Sequence, residues 1–409
     1  MPFHTHRLPN GLQVVGEVLP SARSVSVGFF VRTGSRDETP PEAGVSHFLE
    51  HMVFKGTPTR TALDVNLHFD RIGANYNAYT SEEVTCYYAA VLPEYLPQAT
   101  DILADILRPS LRDDDFATEK QVILEEIKMY EDSPGSEAWD KGRRLYYGGH
   151  PLGNTILGST ASVTALTPQA MRAYFDRRYV APNLLVSVAG NFDWPAFCAM
   201  LDQKCGQWTT ADAPRGHLTE TAGAGGTHSH TKDATTQEHV LLFSPGPPAE
   251  SPLRYVAATL AVALGDDSGS RLHWELVDPG HVESASCGTD QNQASGVTVT
   301  SFSCDPAMAA ENLATARTLL ADVQRDGLTA EELTQAKNKI ASRVVRASER
   351  PGGRMRAIAA SWMYLAEYSD VDAELARFDA VSLGTIRECL DRYPLDQPTT
   401  FGYGPLATL

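Results

Sequence analysis

The sequence predicts an α+β fold in which one domain occurs twice. Residues 165–177 (ALTPQAMRAYFDR) match residues 380–392 (AVSLGTIRECLDR) at an offset of 215, and a strand-like run follows each copy. Residues 133–135 match residues 350–352 at an offset of 217. Matches that recur in the same order at nearly the same spacing indicate an internal duplication rather than a chance likeness between helices.

Length and composition predict where the two copies divide. A chain of 409 residues is long enough for two domains that each bury their own core. We predict a first domain at residues 1–210 and a second at residues 236–409, joined by a linker at residues 211–235 that is rich in Gly, Ala, Thr and Ser. His228 and His230 in this linker form an H-x-H pair, but no third ligand lies nearby. We therefore expect a solvated loop there rather than a metal site.

The first strands are predicted near the start of the chain. Asn10-Gly11 separates two short extended runs within residues 8–18, which is the signal of a β-hairpin. In residues 24–33 valine and phenylalanine alternate with other residues, as in a strand. Long helical segments follow these strands. A sheet packed against helices fits this order better than a repeat of βαβ units.

Helices are predicted from periodicity and from the signals at their ends. Thr167 as N-cap and Pro168 at the first position begin one helix. In the second half, Thr329 and Glu332 form a capping box that opens a helix running towards residue 350. The predicted helices of the first half are residues 97–107, 114–132 and 168–178.

Charge and composition exclude several classes of protein. The chain has 34 Lys and Arg against 51 Asp and Glu, a net charge of −17, which argues against nucleic-acid binding and weakly favours basic peptides through long-range attraction. No segment is apolar enough to cross a membrane and the first residues lack a signal peptide, so we expect a cytoplasmic location unless a processed leader is missing. The six cysteines contain no C-x-x-C pair, which favours reduced, mostly buried thiols.

The clearest chemical motif lies in residues 44–57, GVSHFLEHMVFKGT. His47 and His51 are four residues apart, so on a helix they share one face and can bind the same tetrahedral metal ion. Glu50 lies one residue before the second histidine, from where it can reach a water on that metal. The pattern is H-x-x-E-H, the inverse of H-E-x-x-H.

A catalytic zinc needs a third protein ligand, and the helix predicted at residues 114–132 offers one. Glu119 and Glu126 are seven residues apart and point in nearly the same direction. The apolar residues predicted on this face are Val122, Ile123 and Tyr130. Two carboxylates on an apolar stripe are unfavourable unless a positive charge meets them, as a divalent metal would. This argument selects Glu126 over its neighbour Glu125, which lies on the solvated side.

In these motifs the chain resembles the pitrilysin/insulinase family of zinc peptidases, the inverzincins. Within that family it is similar to the short-chain branch that includes mitochondrial processing peptidase. The resemblance covers nearly the whole chain and implies the processing-peptidase-like metallohydrolase fold, with mostly antiparallel sheets. The segments that carry it are LPNGLQVV, VRTGSRDE, HFLEHMVFKGT, GANYNAYTSEEVTCYY, EKQVILEEI, GHPLGNTILG and YVAPNLLVSVAGNFD.

The resemblance implies a role for each residue of the predicted centre. His47, His51 and Glu126 would bind one Zn²⁺ per chain, and Glu119 would orient a ligand from a neighbouring position. Zinc would lower the pKa of its bound water and Glu50, as general base, would remove the proton for attack on a peptide carbonyl. These roles make the chain a zinc metalloendopeptidase.

The resemblance also implies a peptide-binding strand. Asn77, Ala78 and Tyr79, followed by Thr80, match the edge strand on which the family lays an extended peptide. An open edge offers backbone N–H and C=O groups to any peptide, whatever its sequence, so the physics of strand pairing agrees.

The second half departs from the family in two places. Residues 262–266 (VALGD) fall opposite the zinc motif and Arg343 falls near the place of Glu126, so no metal site is expected there. Catalytic relatives carry an arginine and a tyrosine that contact substrate from the second domain, and here these places fall on Val277 and Ser284. Either the pair is dispensable or another subunit provides it.

Partners and alternative functions follow from these departures. Because long family members build a four-domain chamber from one chain, the resemblance implies a homodimer here, or a heterodimer with a related zinc-free chain. A catalytically weak or idle subunit that needs such a partner is the second hypothesis. A purely structural zinc protein is a third, but a glutamate between the ligands has no role in a closed structural site.

Overall fold

The computed structural model describes residues 2–221 and 223–409. Its strands are β1 (Phe3–Arg7), β2 (Gln13–Val18), β3 (Val25–Val31), β4 (Asn75–Thr80), β5 (Thr85–Val91), β6 (Leu184–Gly190), β7 (Thr227–Thr231), β8 (Glu238–Gly246), β9 (Ser284–Asn292), β10 (Ser295–Cys304) and β11 (Thr399–Gly404). Its α-helices are α1 (Val45–Val53), α2 (Ala62–Arg71), α3 (Leu96–Ile106), α4 (Asp113–Glu131), α5 (Pro134–Tyr147), α6 (Thr160–Ala165), α7 (Pro168–Arg178), α8 (Trp194–Cys205), α9 (Leu253–Gly265), α10 (Ala309–Asp326), α11 (Ala330–Ser348), α12 (Pro351–Leu365), α13 (Val371–Asp379) and α14 (Leu383–Arg392).

The chain forms two compact units, each assembled from three segments. Unit 1 comprises Met1–Lys128, Asn154–Gly216 and Arg346–Asp370. Unit 2 comprises Met129–Gly153, His217–Val345 and Val371–Leu409. Helix α5 of the first half therefore belongs to unit 2, and helix α12 of the second half belongs to unit 1. The observed division therefore differs from the predicted single division at residues 211–235. The sequence does not reveal the exchange of the two helices, because the apolar face of a helix does not specify which sheet it will cover.

Unit 1 is built on a six-stranded sheet in the order β1-β2-β6-β3-β5-β4. All neighbours are antiparallel except β2 with β6. Successive side chains of a strand point to opposite faces, so each face has its own core. On one face Phe29 and Tyr87 are buried with Phe48 of α1. On the other face Phe30 and Cys86 are buried with residues of α12.

Unit 2 repeats this arrangement with five strands in the order β7-β11-β8-β10-β9. The pair β7 and β11 is parallel and the other neighbours are antiparallel. Strands β2, β6, β3, β5 and β4 of unit 1 have the same order and the same relative directions. The predicted α+β class with two homologous domains is thereby confirmed.

The predicted elements agree closely with the observed ones, with one difference in the linker. The antiparallel pair β1 and β2 forms the predicted hairpin, with Gly11 in the left-handed region (φ 94°) at its turn. Helix α11 begins after the predicted capping box, in which Thr329 and Glu332 bond each other. Strand β7, however, lies inside residues 211–235 and carries His228 and His230. Its side chains are mostly exposed, so the strand has no apolar alternation to reveal it.

Two further expectations concern thiols and membranes. All six cysteines are free, and four of them are buried, in agreement with the expected reduced state. Within the described residues, no helix combines the length and the apolar character needed to cross a bilayer.

Candidate metal centre and peptide-binding edge

Helix α1 carries both histidines, and two features fix its start. Gly44 has a left-handed backbone (φ 91°), and a Cβ there would lie 2.5 Å from the carbonyl oxygen of Leu157, so the position requires glycine. The buried carboxyl group of Glu38 accepts hydrogen bonds from the N–H groups of Gly44 and Ser46 at 2.8 and 2.7 Å. A helix leaves its first N–H groups unpaired. Glu38 therefore caps the helix on which the centre is built.

Three ligand atoms converge at this centre. His47 Nε2 lies 3.8 Å from Glu126 Oε1, and His51 Nε2 lies 3.5 Å from Glu126 Oε2. All three ligand atoms lie within 4.8 Å of one another. In the part of the chain that the structure describes, no other group of three His, Cys, Asp or Glu side chains is close enough to share a metal ion. The residues selected from spacing alone are thus brought together.

The geometry and chemistry of this group fit zinc. Ligands about 2.0–2.1 Å from a tetrahedral zinc lie about 3.4 Å from one another. The two histidines approach different oxygens of Glu126, at 3.8 and 3.5 Å, and one donor atom from each residue gives separations within 4.8 Å, so the three side chains would draw closer together around a zinc ion. Two imidazole nitrogens and one carboxylate oxygen also form a donor set of catalytic zinc sites, in which a fourth position stays open.

The two histidines differ in their protonation. Burial, with a smaller contribution from the neighbouring His51, lowers the pKa of His47 to about 3, so this imidazole is neutral at neutral pH. Burial also acts to lower the pKa of His51, but the hydrogen bond with Glu119 and the charges of Glu126, Glu119 and Glu50 outweigh it and raise the pKa. A metal ion binds the neutral imidazole. His47 is therefore ready to bind, whereas the raised pKa of His51 means that a metal ion competes there with a proton.

Glu119 lies beside this centre and holds His51. Its carboxylate Oε1 accepts a hydrogen bond from His51 Nδ1 at 2.9 Å, and its Oε2 pairs with Lys55 Nζ at 2.6 Å. Burial acts to raise the pKa of Glu119, but these two donors outweigh it and the pKa lies below its ordinary value. The ionised carboxylate fixes the proton of His51 on Nδ1 and leaves Nε2 for a metal. Spacing along the sequence gives no signal for Lys55.

Glu50 lies on helix α1 with the two histidines and faces strand β4. The hydroxyl of Thr80, the last residue of β4, donates a hydrogen bond to Glu50 Oε2 at 2.6 Å. Burial raises the pKa of Glu50 although this hydrogen bond and the charge of His51 act to lower it. A half-buried carboxyl with a raised pKa is suited to take up and release a proton. The sequence gives no signal for the contact of Thr80 with Glu50, because the two residues are thirty positions apart.

The predicted peptide-binding residues lie on β4, the last strand of the unit 1 sheet. Within the described residues, β4 pairs only with β5, so its outer edge has no neighbouring strand. Ala78 is packed against the core that contains α1. Asn77 and Tyr79 alternate with it and point to the opposite face. The Oδ1 atom of Asn77 accepts a hydrogen bond from the N–H of Ala78 at 2.8 Å.

The apolar stripe predicted on α4 is only partly correct. Ile123 is buried, as is Glu119, but Val122 and Tyr130 are exposed by 46% and 44%. The stripe is narrow because α4 contacts the core of unit 1 along one line of residues. Glu126 keeps the predicted direction towards the histidines, while Glu125 is exposed and pairs with Lys128.

Comparison with known proteins identifies the family to which this chain belongs. Residues 13–160 match the sequence profile of the insulinase family, peptidase family M16, and residues 165–340 match the profile called the peptidase M16 inactive domain. An uncharacterized zinc protease of Streptomyces coelicolor is 34% identical over 98% of this chain and 89% of its own length. The chain belongs to peptidase family M16. A second M16 relative, the uncharacterized zinc protease YmxG of Bacillus subtilis, is 34% identical over 91% of each chain.

Solved structures share the M16 fold at lower identity. A protease from Helicobacter pylori has a TM-score of 0.91 and 23% identity, with 99% of each chain covered. An M16-like peptidase from Alicyclobacillus acidocaldarius has a TM-score of 0.85 and 24% identity, with 98% of each chain covered. At these identities the likeness establishes the two-domain fold and no more.

The second M16 domain has an ion-pair cluster on the helices that correspond to those carrying the candidate ligands. Asp266, at the end of α9, pairs with Arg343 at 2.6 Å and with Lys339 at 3.1 Å. Helix α9 occupies the place of α1 and α11 the place of α4 in the repeated order of elements. The corresponding helices of the second domain thus contribute two positive charges, which do not favour a cation.

The remaining departure from the M16 pattern concerns the arginine and tyrosine of the second domain. Val277 ends a π-helical turn at His273–Val277 and is partly buried against the core of unit 2. Ser284 is the exposed first residue of β9. Neither side chain carries the positive charge or the phenol that the family resemblance implies for these positions.

Proposed function

We propose that this chain is a zinc-dependent endopeptidase that hydrolyses peptides or unfolded segments bound as an extended strand. The observation that carries the proposal is the convergence of His47 Nε2, His51 Nε2 and a Glu126 carboxylate oxygen beside Glu50. A zinc ion held by these three residues would polarise a carbonyl oxygen and lower the pKa of a water to about 7.

In this proposal Glu50 handles the proton. It takes a proton from the attacking water and returns it to the nitrogen of the leaving amine. Its half-buried position raises its pKa, and Thr80 fixes one carboxylate oxygen by a hydrogen bond of 2.6 Å. Because Thr80 is the last residue of β4, the same contact ties the base to the strand on which the peptide would lie.

The open edge of β4 is the proposed peptide-binding site. A peptide pairing with Asn77, Ala78 and Tyr79 would be held by backbone hydrogen bonds, which are independent of its sequence. Such binding accepts an extended segment and excludes a folded helix. This selectivity supports peptides and unfolded segments as the substrate class.

A second candidate function is a subunit whose peptidase activity requires a related partner chain. It is favoured by Val277 and Ser284, which cannot replace the arginine and tyrosine of catalytic relatives. We propose accordingly that the chain acts as a homodimer, or as a heterodimer with a zinc-free relative that supplies such residues. A fully active monomer at working concentration, measured by light scattering during turnover, would exclude the dimer.

The proposal is tested by cleavage of a mixed peptide library with the purified chain. The metal-free protein, prepared with a chelator, should leave the library intact, and one equivalent of Zn²⁺ should restore cleavage. Cleavage that persists without metal would overturn the zinc mechanism. Zinc binding without cleavage would favour the second candidate, and cleavage restored by a related zinc-free chain would establish it.

A further inference from the structure

Strand β4 presents its side chains to two different environments. Ala78 lies in the core shared with α1, and Thr80 contacts Glu50 on the same side. Tyr79 is paired across the sheet with Cys86, which is buried in the core formed with α12. A peptide added to the edge of β4 would alternate in the same way. Every second side chain of that peptide would therefore lie on the α12 side of the sheet.

One exposed cation, Arg356 of α12, lies on this side of the sheet. The Cζ atom of its guanidinium lies 5.7 Å from the ring centroid of Tyr88. Tyr88 is the cross-strand partner of Asn77 on β4. Burial raises the pKa of Tyr79 on β4, and the positive charge of Arg356 acts against that rise.

Arg356 has no carboxylate partner among the described residues, in contrast to its neighbour on the helix. Arg354 is buried and pairs with Glu17 at 2.7 Å, so its charge is already neutralised. Arg356 is exposed and makes no ion pair within 4.0 Å in the described part of the chain. A guanidinium that rests near an aromatic ring and keeps its donors free is suited to bind a carboxylate through two hydrogen bonds.

We propose that Arg356 makes the edge of β4 selective for peptides that carry an aspartate or glutamate on the α12 side. The inference rests on the proposed function, since it assumes that a peptide pairs with β4. It also gives the second half of the sequence a part in substrate selection within unit 1. The local preference is opposite to the long-range attraction of basic peptides expected from a net charge of −17.

The test measures binding rather than turnover. Two fluorescent peptides of one neutral sequence would carry either Glu or Lys at every second position, so that the charges share one face in any strand register. They would be titrated by anisotropy into the full-length, zinc-loaded Glu50→Gln variant. We expect about tenfold tighter binding of the Glu peptide. Equal affinities, or no binding of either peptide, would overturn the proposal.

Two variants of Arg356 test whether this side chain causes the preference for the Glu peptide. Arg356→Glu should reverse the preference between the two peptides, and Arg356→Lys should keep part of it. The matched control is Arg7→Glu, an exposed arginine on β1 at the opposite edge of the same sheet. Equal effects of Arg356→Glu and Arg7→Glu would show a general charge effect and overturn the proposal. Because hydrolysis by the wild-type chain is measured separately, failure of the peptidase function and failure of this inference are distinguishable.

Discussion

His51 Nδ1 donates a hydrogen bond of 2.9 Å to the carboxylate of Glu119. The bond fixes which nitrogen of His51 carries the proton and turns Nε2 towards Glu126, 3.5 Å away. Lys55 pairs with the other oxygen of the same carboxylate and helps to keep it ionised. The ligand set of the candidate centre therefore depends on a glutamate that is not itself a ligand.

Replacing Glu119 should weaken zinc binding without abolishing it. We predict that Glu119→Ala lowers the affinity for Zn²⁺ about 10–100-fold, because His51 loses the partner that orients its ring. The affinity is measured by competition with a chelator of known strength. Glu125→Gln, an exposed neighbour on the same helix, serves as the control. An unchanged affinity in Glu119→Ala would contradict the orienting role.

Loss of the proposed ligand should have a larger effect. Glu126→Gln removes the one anionic donor of the cluster, so we expect it to bind zinc more weakly than Glu119→Ala does. Glu125→Gln should keep one zinc per chain, because its carboxylate faces Lys128 and solvent. Zinc content after dialysis against a weak chelator separates the two neighbouring glutamates. Zinc retained in Glu126→Gln and lost in Glu125→Gln would reverse the assignment.

Zinc binding should release a proton from His51. Since its pKa is raised in the metal-free protein, His51 is more protonated at about pH 6 than at about pH 8, whereas His47 is neutral at both. We predict that more protons are released per zinc at the lower pH. Calorimetry in buffers of different ionisation enthalpy counts these protons. An equal number at both pH values would contradict the difference between the two histidines.

Glu38 should make the stability of the metal-free protein depend on pH. Burial, opposed by the hydrogen bonds from Ser46 and Gly44, raises its pKa to about 8. A raised pKa in the folded state means that the stabilising contribution is full below about pH 4.5 and is lost as pH rises through about 8. As the pH rises from about 4.5 to about 8, the melting temperature of the wild-type protein should therefore decrease relative to that of Glu38→Gln.

The control for Glu38 is the same change at an exposed position, Glu94→Gln. That variant should follow the wild-type protein at every pH, in thermal unfolding with a chelator present. Parallel curves for wild type and Glu38→Gln would show that Glu38 does not titrate with folding in this range.

The sequence predicts most of the fold and of the centre because the signals for both are local. The helix predicted at residues 114–132 is observed one residue earlier at each end, and the proposed ligands His47, His51 and Glu126 follow from helical spacing. Two contacts of the centre have no such signal, namely those of Thr80 with Glu50 and of Lys55 with Glu119. They join residues distant in the chain, and no periodicity reports which residue will face another across a fold.

Two features of the architecture were equally hidden. Helix α12 covers the sheet of unit 1 although it follows α11 in the second half. The sequence does not predict this, because the apolar face of the helix would suit either sheet. Strand β7 lies within the segment predicted to be a linker. Its residues, THSHT, are mostly exposed at the edge of the sheet, so they show no apolar pattern typical of a strand. In both cases the deciding partner lies far away in the sequence.

The central claim is that Glu50 handles the proton at a zinc centre, and the Glu50→Gln variant tests it most directly. Zinc content and cleavage of the mixed peptide library are measured together on the variant and on the wild-type chain. The account predicts one zinc per chain in both proteins and a loss of about 10²–10⁴-fold in the cleavage rate of the variant. A Glu50→Gln protein that retains zinc and cleaves at the wild-type rate would contradict it.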